Sequence, residues 1–256
     1  MNIGVAIVTH NNEQDIAACI ASVVSSGISD IAIVDSASAD GTVKEIVRSG
    51  YSCQELSKNR GFGYAANKAA YLLNTEYVLF LNPDAQLMPG AMDFAIRTIT
   101  SDSRVGVVGM LLVDTDKIPE KNSYGDEPGI LSLFARHLYR KKISLTPLPV
   151  DWVSGGALLI SRKFFEKLGG FDDGFFLYWE DLDLCRRVRE KGYLVMVDSR
   201  ARVIHRRGGS QLNKKSKTKI YDDSADRYYK KHYPTYIWKL QGFLRSIYRL
   251  LRPLAS

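Results

Sequence analysis

Two adjacent carboxylates, Glu180 and Asp181, follow directly on an aromatic run at residues 175–179. They lie in the first turn of a predicted helix that ends at Gly192. Two carboxylates at the mouth of a helix, beside bulky aromatic side chains, are suited to taking a proton from a hydroxyl. Acidic residues also stabilise a helix N-terminus by about 0.3–1 kcal/mol, so this stretch by itself is explained equally well by structure and by chemistry.

A third carboxylate, Asp84, comes soon after the apolar segment 77–81, with Asn82 two positions before it. Oxygen ligands in such a loop can hold a divalent cation, and the phosphates of a substrate can complete its shell. A diphosphate leaving group needs its charge neutralised in this way. His205 also follows an apolar segment and could add a nitrogen ligand, although a hydrogen-bonded histidine at a strand end explains it equally well.

The elements that must position these residues are predicted from the apolar pattern. Segment 3–8 is a continuous apolar run, as expected of a strand buried on both faces of a parallel sheet. Similar runs alternate with helical patterns, which predicts an α/β domain with a largely parallel sheet. The predicted strands are 3–8, 31–34, 51–56, 77–81, 105–110, 157–160 and 194–197, and the predicted helices are 16–24, 42–47, 64–73, 91–99, 162–168 and 180–192.

Polar signals follow several of these strands. Asn11, Asp35, the loop 59–63 and Asp84 each come after a predicted strand. In open α/β sheets, ligands bind beyond the carboxyl ends of the strands. Each residue alone is an ordinary turn former, but four at one edge predict a binding site there.

Two familiar nucleotide sites are excluded by the sequence. A dinucleotide-binding fold requires G-x-G-x-x-G directly after its first strand, where this chain has THNNEQ. The phosphate-loop signature G-x-x-x-x-G-K-[ST] is absent from the sequence. The site must therefore bind its ligand by other means.

The composition is typical of a globular protein with a large hydrophobic core. The chain has 256 residues, of which 45% are hydrophobic, so it can bury a substantial core. No apolar run approaches the roughly 18 residues of a membrane-spanning helix, and the N-terminus has no secretory signal pattern. The three cysteines are far apart and form no zinc motif, which predicts reduced thiols and a cytoplasmic protein.

Charge is distributed unevenly along the chain. From Arg202 onward there are 14 Lys and Arg against 3 Asp and Glu, a net charge of +11. The preceding residues carry 21 against 25, a net charge of −4. A basic tail on a mildly acidic body predicts an anionic partner, either phospholipid headgroups or nucleic acid.

The sequence is divided into one α/β domain and a tail. We assign residues 1–210 to the domain and residues 211–256 to a basic, amphipathic, helical C-terminal extension. Segment 114–150 is polar and proline-rich, and it is interpreted as a variable insertion with one short helix near 131–139.

Seven distinctive motifs follow one another along residues 1–210: IVTHNN, IVDSASADGT, NRGFGYAANKA, FLNPDA, VSGGALLISR, GGFDDGFFLYWEDLDLCRR and VIHRRGGS. Together they resemble the successive motifs of family 2 glycosyltransferases, and the likeness is greatest to bacterial rhamnosyltransferases of cell-surface polysaccharide assembly. The resemblance implies the GT-A (nucleotide-diphospho-sugar transferase) fold, a mostly parallel central sheet flanked by helices. It also implies a nucleotide-sugar donor, a divalent metal (Mg²⁺ or Mn²⁺) and inversion at the anomeric carbon.

The resemblance assigns roles by position. Asp181 is expected to be the general base, with Glu180 beside it contacting the acceptor, and Asp84 and His205 are the expected metal ligands. Asn82 stands where many relatives have the first Asp of Asp-x-Asp. The expected nucleotide-sugar contacts are Thr9, Asn11, Asp35, Asn59, Arg60, Gly61, Asn67, Asn82 and Asp84. The expected acceptor or sugar pocket comprises Trp152, Gly155, Gly156 and Trp179.

The expected reaction moves L-rhamnose from dTDP-rhamnose onto a hydroxyl of a saccharide acceptor linked to polyprenyl diphosphate. Three alternatives stay open: a UDP-hexose or UDP-galactofuranose donor, a non-catalytic nucleotide-sugar-binding protein, and a nucleic-acid-binding protein that uses the basic tail. Retention of the three carboxylates argues against the second, and the absence of a known nucleic-acid motif argues against the third. A homodimer is also left open.

An apolar stripe in the tail predicts an amphipathic helix. Its members recur at steps of three and four: Ile237, Leu240, Leu244, Ile247 and Leu251. Trp238 and Phe243 flank the stripe, and basic residues surround it. Such a helix suits the anionic inner face of the cell membrane, and packing on the catalytic domain or on a second subunit is the equally good alternative.

Overall fold

The computed structural model describes residues 1–121, 123–128, 144–206 and 213–251. Its strands are β1 (Ile3–Thr9), β2 (Asp30–Asp35), β3 (Gln54–Glu55), β4 (Tyr77–Leu81), β5 (Ala85–Leu87), β6 (Val105–Val113), β7 (Tyr124–Gly125), β8 (Leu148–Val150), β9 (Trp152–Val153), β10 (Ala157–Ser161) and β11 (Leu194–His205). Its helices are α1 (Ile16–Ser25), α2 (Thr42–Arg48), α3 (Phe62–Leu72), α4 (Ala91–Thr100), α5 (Arg162–Lys167), α6 (Glu180–Glu190), α7 (Lys214–His232) and α8 (Thr235–Leu251).

A mixed sheet runs through the domain. Within the described residues it has nine strands, in the order β3-β2-β1-β4-β10-β6-β11-β5, with β8 paired to β11. Strands β1 to β4 pair in parallel, as do β6 and β11. Strand β10 lies antiparallel between β4 and β6. Most strands thus point one way, and the predicted α/β class with a mostly parallel sheet is confirmed.

The sheet is covered on both faces, which explains its continuous apolar strands. Alternate residues of a strand point to opposite faces, so Val5 and Ile7 of β1 join one core while Ala6 joins the other. Helices α1, α2 and α4 cover the first face, and α3, α5 and α6 cover the second. The carboxyl ends of β1, β2 and β4 therefore meet at one edge, where the sequence places its polar residues.

The predicted elements are found, with differences at the edges of the sheet. Strand β3 is only two residues long because it pairs with β2 alone at the sheet edge. Strand β11 extends to His205 because its second half pairs with both β5 and β6. Strands β7 and β8 fall in the predicted insertion, and β8 joins the main sheet. The helix predicted near 131–139 lies outside the described residues.

The C-terminal extension packs on the domain through α7. Phe175 and Trp179 form a small core with Ala225, Tyr228 and Tyr229 of that helix. No helix within the described ranges is long and apolar enough to span a bilayer.

Helix α8 packs against α7, but not mainly through the apolar stripe that the sequence predicted. Its most buried residues are Gln241 and Arg245, and Arg245 pairs with Asp226 of α7. Of the predicted stripe, Leu240 is exposed and Ile237, Leu244 and Ile247 are half-buried. The side chain of Leu251 lies outside the described residues.

Candidate active site

Asp181 stands at the start of α6 with its carboxylate held by backbone. Its Oδ2 accepts a hydrogen bond from the Gly155 amide at 3.1 Å, and its Oδ1 accepts one from the Leu182 amide at 2.8 Å. Burial raises the pKa of Asp181, and the two amides act in the opposite direction without cancelling that effect. A raised pKa makes this carboxylate a better base near neutral pH.

Glu180 is more enclosed than its neighbour, with 5% of its surface exposed. Within the described residues its Oε2 has no hydrogen-bond partner. Burial raises the pKa of Glu180 well above its usual range, and the nearby charge of Asp181 adds to the effect. Glu180 thus favours the neutral form, and its predicted contact with the acceptor stays a prediction.

Trp179 packs on the C-terminal extension. Its indole is buried against α7, with ring centroids 5.1 Å from Tyr228, 5.5 Å from Tyr221 and 5.6 Å from Tyr229. The ring packs on the C-terminal extension, and its predicted place in the acceptor or sugar pocket stays a prediction. This packing follows from the backbone, because Tyr178 and Trp179 both adopt left-handed conformations with φ of 70° and so turn the chain into α6.

Gly155 and Gly156 contact both the start of α6, which carries Asp181, and the loop after β4, which carries Asn82 and Asp84. Gly155 donates to Asp181, and the Gly156 carbonyl accepts from the Asn82 amide at 3.0 Å. A Cβ at Gly156 would lie 3.0 Å from Nδ2 of Asn82, so any larger residue here would crowd the Asn82 side chain. The nearby Trp152 donates from Nε1 to the Asp126 carbonyl at 3.1 Å.

Asp84 and His205 converge at the far side of this glycine pair. Nε2 of His205 is 3.2 Å from Oδ1 of Asp84, and its Nδ1 is 3.0 Å from Oε1 of Glu120. Nδ2 of Asn82 lies 3.4 Å from the same Nε2. Burial by itself would lower the pKa of His205, but the hydrogen bonds and charges of Asp84 and Glu120 raise it to about 9.

This arrangement fits part of a metal shell. The buried Asp84 oxygen and the His205 nitrogen face each other, and Glu120 holds the remaining ring nitrogen. No group of three or more His, Cys, Asp or Glu among the described residues is arranged to hold an ion by itself. A cation would therefore complete its shell with donor phosphates and water, as Mg²⁺ commonly does.

Thr9 and Asp35 lie at the carboxyl ends of β1 and β2, as predicted. Both are buried, and Thr9 Oγ1 donates to Asp35 Oδ1 at 2.7 Å. Asp35 also accepts from the amide and the hydroxyl of Ser38. Asn11 has a φ of 58° and accepts from the Ala39 amide. These bonds shape the edge where the nucleoside contact was predicted, and that contact stays a prediction.

The loop before α3 packs against the aromatic run. Asn59 Oδ1 accepts from the Gly61 amide at 2.9 Å, and a Cβ at Gly61 would lie 2.3 Å from the Phe176 carbonyl oxygen. Arg60 is exposed, with its guanidinium 3.7 Å from the centroid of the Tyr64 ring. Its predicted contact with the nucleotide sugar stays a prediction.

Asn67 has a different partner from the one predicted. Its Nδ2 donates to the Phe171 carbonyl at 2.9 Å, and its Oδ1 accepts from the Phe171 amide at 2.8 Å. Both ends of the amide are thus used to fix residues 170–171 against α3. Its predicted contact with the donor stays a prediction, and in this structure Asn67 supports the loop instead.

Three carboxylates with evident roles were missed by the sequence reasoning. Glu120 contacts His205, and Asp183 binds Arg187, Lys231 and His232. Glu127 accepts from Tyr228, Tyr233, Arg186 and Arg189. Only Asp183 carried a signal, since Arg187 follows it at i+4 on a predicted helix.

The chain is similar to known glycosyltransferases in sequence and in fold. The model described as "Glycosyl transferase family 2" matches residues 4–169, and one described as "N-terminal domain of galactosyltransferase" matches residues 137–207. An N-acetylglucosaminyl-diphospho-decaprenol L-rhamnosyltransferase of Mycobacterium tuberculosis is 28% identical over 206 residues, covering 70% of this chain and 67% of the relative. Rhamnosyltransferase WbbL of Escherichia coli is 31% identical over 148 residues, 52% of this chain and 55% of the relative.

Solved structures share the fold at low sequence identity. A structure of GalNAc-T7 with UDP, GalNAc and Mn²⁺ has a TM-score of 0.72 at 16% identity and is matched over 90% of this chain. This chain spans about half of that protein, 48% of its length. A mannosyltransferase, PcManGT from Pyrobaculum calidifontis, in complex with GDP-Man and Mn²⁺ has a TM-score of 0.66 at 16% identity, covering 95% of this chain and 69% of that one.

These likenesses agree with the geometry. The shared fold is GT-A, and the family model matches from β1 through α5, the part of the chain that carries the Asp84 loop and the glycine pair. Since that match spans more than half of the sequence, the chain belongs to glycosyl transferase family 2.

Proposed function

We propose that this chain is an inverting glycosyltransferase that moves L-rhamnose from dTDP-rhamnose onto a hydroxyl of a lipid-linked saccharide in cell-surface polysaccharide synthesis. One observation carries the proposal: Gly155 binds Asp181, while the adjacent Gly156 binds Asn82, which is two residues from Asp84. The candidate base and the candidate diphosphate-binding group thus flank one glycine pair. A transferase needs this proximity, since it removes a proton on one side of the anomeric carbon and releases a diphosphate on the other.

Each residue then has a definite part in a single displacement. Asp181 takes the proton of the acceptor hydroxyl, and the resulting oxygen bonds to the anomeric carbon as the bond to the diphosphate breaks. Asp84 and His205 are the residues that would hold a divalent metal. When bound, that metal would neutralise the charge of the departing diphosphate. Arg60 is available to bind donor phosphate from the opposite loop.

The choice of donor rests on the named relatives. Two of them are rhamnosyltransferases, one acting on a decaprenol-linked sugar by its name. Agl10 of Haloferax volcanii, 25% identical over 248 residues, is a hexosyltransferase by name. A UDP-hexose donor is therefore the second candidate, and the two are separated by a direct comparison of donors.

We extend the proposal to the membrane, at its cytoplasmic face. Tyr236, Leu240 and Phe243 recur at steps of four and three on α8 and are all exposed. Residues from Arg202 onward carry a net charge of +11. An exposed apolar face on a basic helix suits the interface of an anionic bilayer, where a polyprenyl-linked acceptor would be presented.

The test is a transfer assay with the full chain. Purified protein is given dTDP-rhamnose, UDP-glucose or UDP-galactofuranose with a polyprenyl-diphosphate-linked N-acetylglucosamine, with Mg²⁺, with Mn²⁺ or with chelator. We expect transfer from dTDP-rhamnose that is lost in chelator and in Asp84→Ala. Transfer from a UDP-sugar alone would contradict the rhamnose assignment, and full transfer in chelator would contradict the metal role.

A further inference from the structure

Glu120 stands behind His205, in the segment that the sequence interprets as a variable insertion. Its Oε1 is 3.0 Å from Nδ1 of His205, and only 6% of its side chain is exposed. The opposite ring nitrogen, Nε2, faces Asp84 at 3.2 Å. We propose that Glu120 is a positioning residue, which fixes the ring and tautomer of His205 so that Nε2 is presented to a divalent cation beside Asp84. The inference rests on the metal role in the proposed function.

The chain places Glu120 firmly. Asp114 Oδ1 accepts from the amides of Asp116 at 3.0 Å and of Ile118 at 2.8 Å, which closes a tight turn directly after β6. The Glu120 amide then donates to the Leu112 carbonyl at 2.8 Å. The Glu120 carbonyl accepts from the Ser123 hydroxyl at 3.1 Å. The backbone on both sides of the carboxylate is therefore tied down.

The chemistry of imidazole explains why such a carboxylate matters. A neutral imidazole has one N–H and one bare nitrogen, and only the bare nitrogen can bind a metal. Once the Nε2 proton has given way to a cation, a carboxylate at Nδ1 keeps the remaining proton there and holds the ring in one orientation. Glu120 does not compete for the same cation, because it contacts the ring nitrogen opposite to the one that faces Asp84.

The test measures metal binding itself. Mn²⁺ is titrated into the full chain, with and without dTDP, and free Mn²⁺ is followed by electron paramagnetic resonance. Loss of a carboxylate that supports a metal-bound histidine typically costs 10- to 100-fold in affinity, so we expect Glu120→Ala to weaken Mn²⁺ binding by about that factor. Glu120→Gln should weaken it less, because the amide oxygen can still accept from Nδ1.

Two controls make the result specific. Asp116→Ala removes a charge from the same loop at an exposed position and should leave Mn²⁺ affinity unchanged. Imidazole ¹⁵N spectra recorded above pH 9, where the ring is neutral, report the tautomer and should change in Glu120→Ala; the His205 signals are assigned by His205→Ala. This readout does not depend on sugar transfer, and melting curves identify any variant that fails to fold.

The outcomes separate this inference from the function it rests on. If Asp84→Ala and His205→Ala weaken Mn²⁺ binding but Glu120→Ala and the tautomer are as in wild type, the positioning role of Glu120 is overturned. If neither Asp84→Ala nor His205→Ala changes Mn²⁺ binding, the proposed metal site itself is wrong and the inference is overturned with it. If Asp116→Ala lost as much Mn²⁺ affinity as Glu120→Ala, the negative charge of the loop would explain the effect, and this outcome would also contradict the inference.

Discussion

Asp181 and Glu180 are adjacent carboxylates with different surroundings. Asp181 accepts two backbone hydrogen bonds, while Oε2 of Glu180 has no partner among the described residues. Burial raises the pKa of both groups, and it does so more strongly for Glu180. The pair therefore favours a state in which Glu180 keeps a proton and Asp181 carries the charge that a general base needs.

Replacing Asp181 tests the base directly. Asp181→Asn keeps the shape of the side chain, and its oxygen can still accept from Gly155, so folding and donor binding should be retained. Loss of a general base typically lowers the rate 10²- to 10⁴-fold, and we expect kcat to fall into that range. Activity within a few-fold of wild type would refute the assignment. A large fall in melting temperature would instead favour a structural role at the helix start.

Replacing Glu180 tests its buried state. A carboxyl with a raised pKa binds a proton in the folded state that the unfolded state releases, so its contribution to stability falls as the pH rises above about 4.5. Glu180→Gln does not titrate, and we expect its advantage in unfolding free energy over wild type to grow from pH 5 to pH 8. Urea unfolding at both pH values measures this. A constant difference would show that Glu180 does not carry a raised pKa.

Candidate residues of this site can be chosen from local sequence patterns, but the residues that contact them cannot. Local patterns made Asp181, Asp84 and His205 candidates, since each follows a clear aromatic or apolar segment, and the family resemblance supplied the roles that they are predicted to have. Glu120 could not be predicted, because it contacts a residue 85 positions later. The contacts of Trp179 could not be predicted for a related reason: its partners are tyrosines of α7, and no local pattern shows which face of the aromatic run that helix covers.

At the scale of elements, α7 packs on the helix that carries Asp181 and on the segment just before it. Ser224 Oγ donates to the Leu177 carbonyl at 2.8 Å, just before the turn into α6. Asp183 of α6 accepts from Lys231 and His232 of α7, each at 2.7 Å. Glu127 accepts from Arg186 of α6 and from Tyr228 of α7. Helix α6, which carries Asp181, is thus bound to α7 by several side-chain contacts. The predicted boundary at residue 210 lies between segments that pack together.

The positions of the longer strands could be predicted from the sequence, but their order in the sheet could not. The strands were predicted because burial on both faces requires unbroken apolar runs. Their order was not, because the insertion of β10 between β4 and β6 depends on pairing between segments far apart in the chain. The short strands β7 and β8 were missed because two or three residues give no period to read.

Asp183→Asn tests the contact between α6 and α7. Burial alone would raise the pKa of Asp183, but His232, Arg187 and Lys231 lower it from 3.8 to about 2. This corresponds to about 2 kcal/mol of stability, present above pH 3.8 and lost as the pH falls through 2. We expect Asp183→Asn to lose about that much at pH 7 and to lose catalytic rate as α6 loosens.

Hydrogen exchange and urea unfolding check this expectation. Amides of α7 should exchange faster in Asp183→Asn, and by a larger factor than those of α4. Glu190→Gln is the matched control, because Glu190 pairs with Arg186 on the same helix but is 53% exposed. It should change stability by less than about 1 kcal/mol. Equal effects of the two variants would contradict a special role for the buried contact.

At the scale of the whole molecule, the two faces of α8 have different surroundings. Arg245 and Gln241 are buried against α7, and the Arg245 guanidinium lies 5.5 Å from the centroid of the Tyr229 ring. Tyr236 and Phe243 point away and are 73% and 63% exposed. Packing on the domain and binding to a membrane are therefore compatible, since each uses its own face. Removal of all of α8 would confuse the two roles, so substitutions on the outer face are the sharper test.

We expect the double variant Tyr236→Ser and Phe243→Ser to lose affinity for anionic vesicles. Burying one large apolar side chain is worth about 1.5–3 kcal/mol, so losing two should weaken binding at least tenfold. Sedimentation with phosphatidylglycerol vesicles at low salt measures the effect, and transfer to a soluble acceptor analogue should not change. Tyr71→Ser is the matched control, because Tyr71 is 66% exposed on α3. If wild type ignores these vesicles, or the double variant binds them as tightly as wild type, the outer face of α8 does not bind membranes.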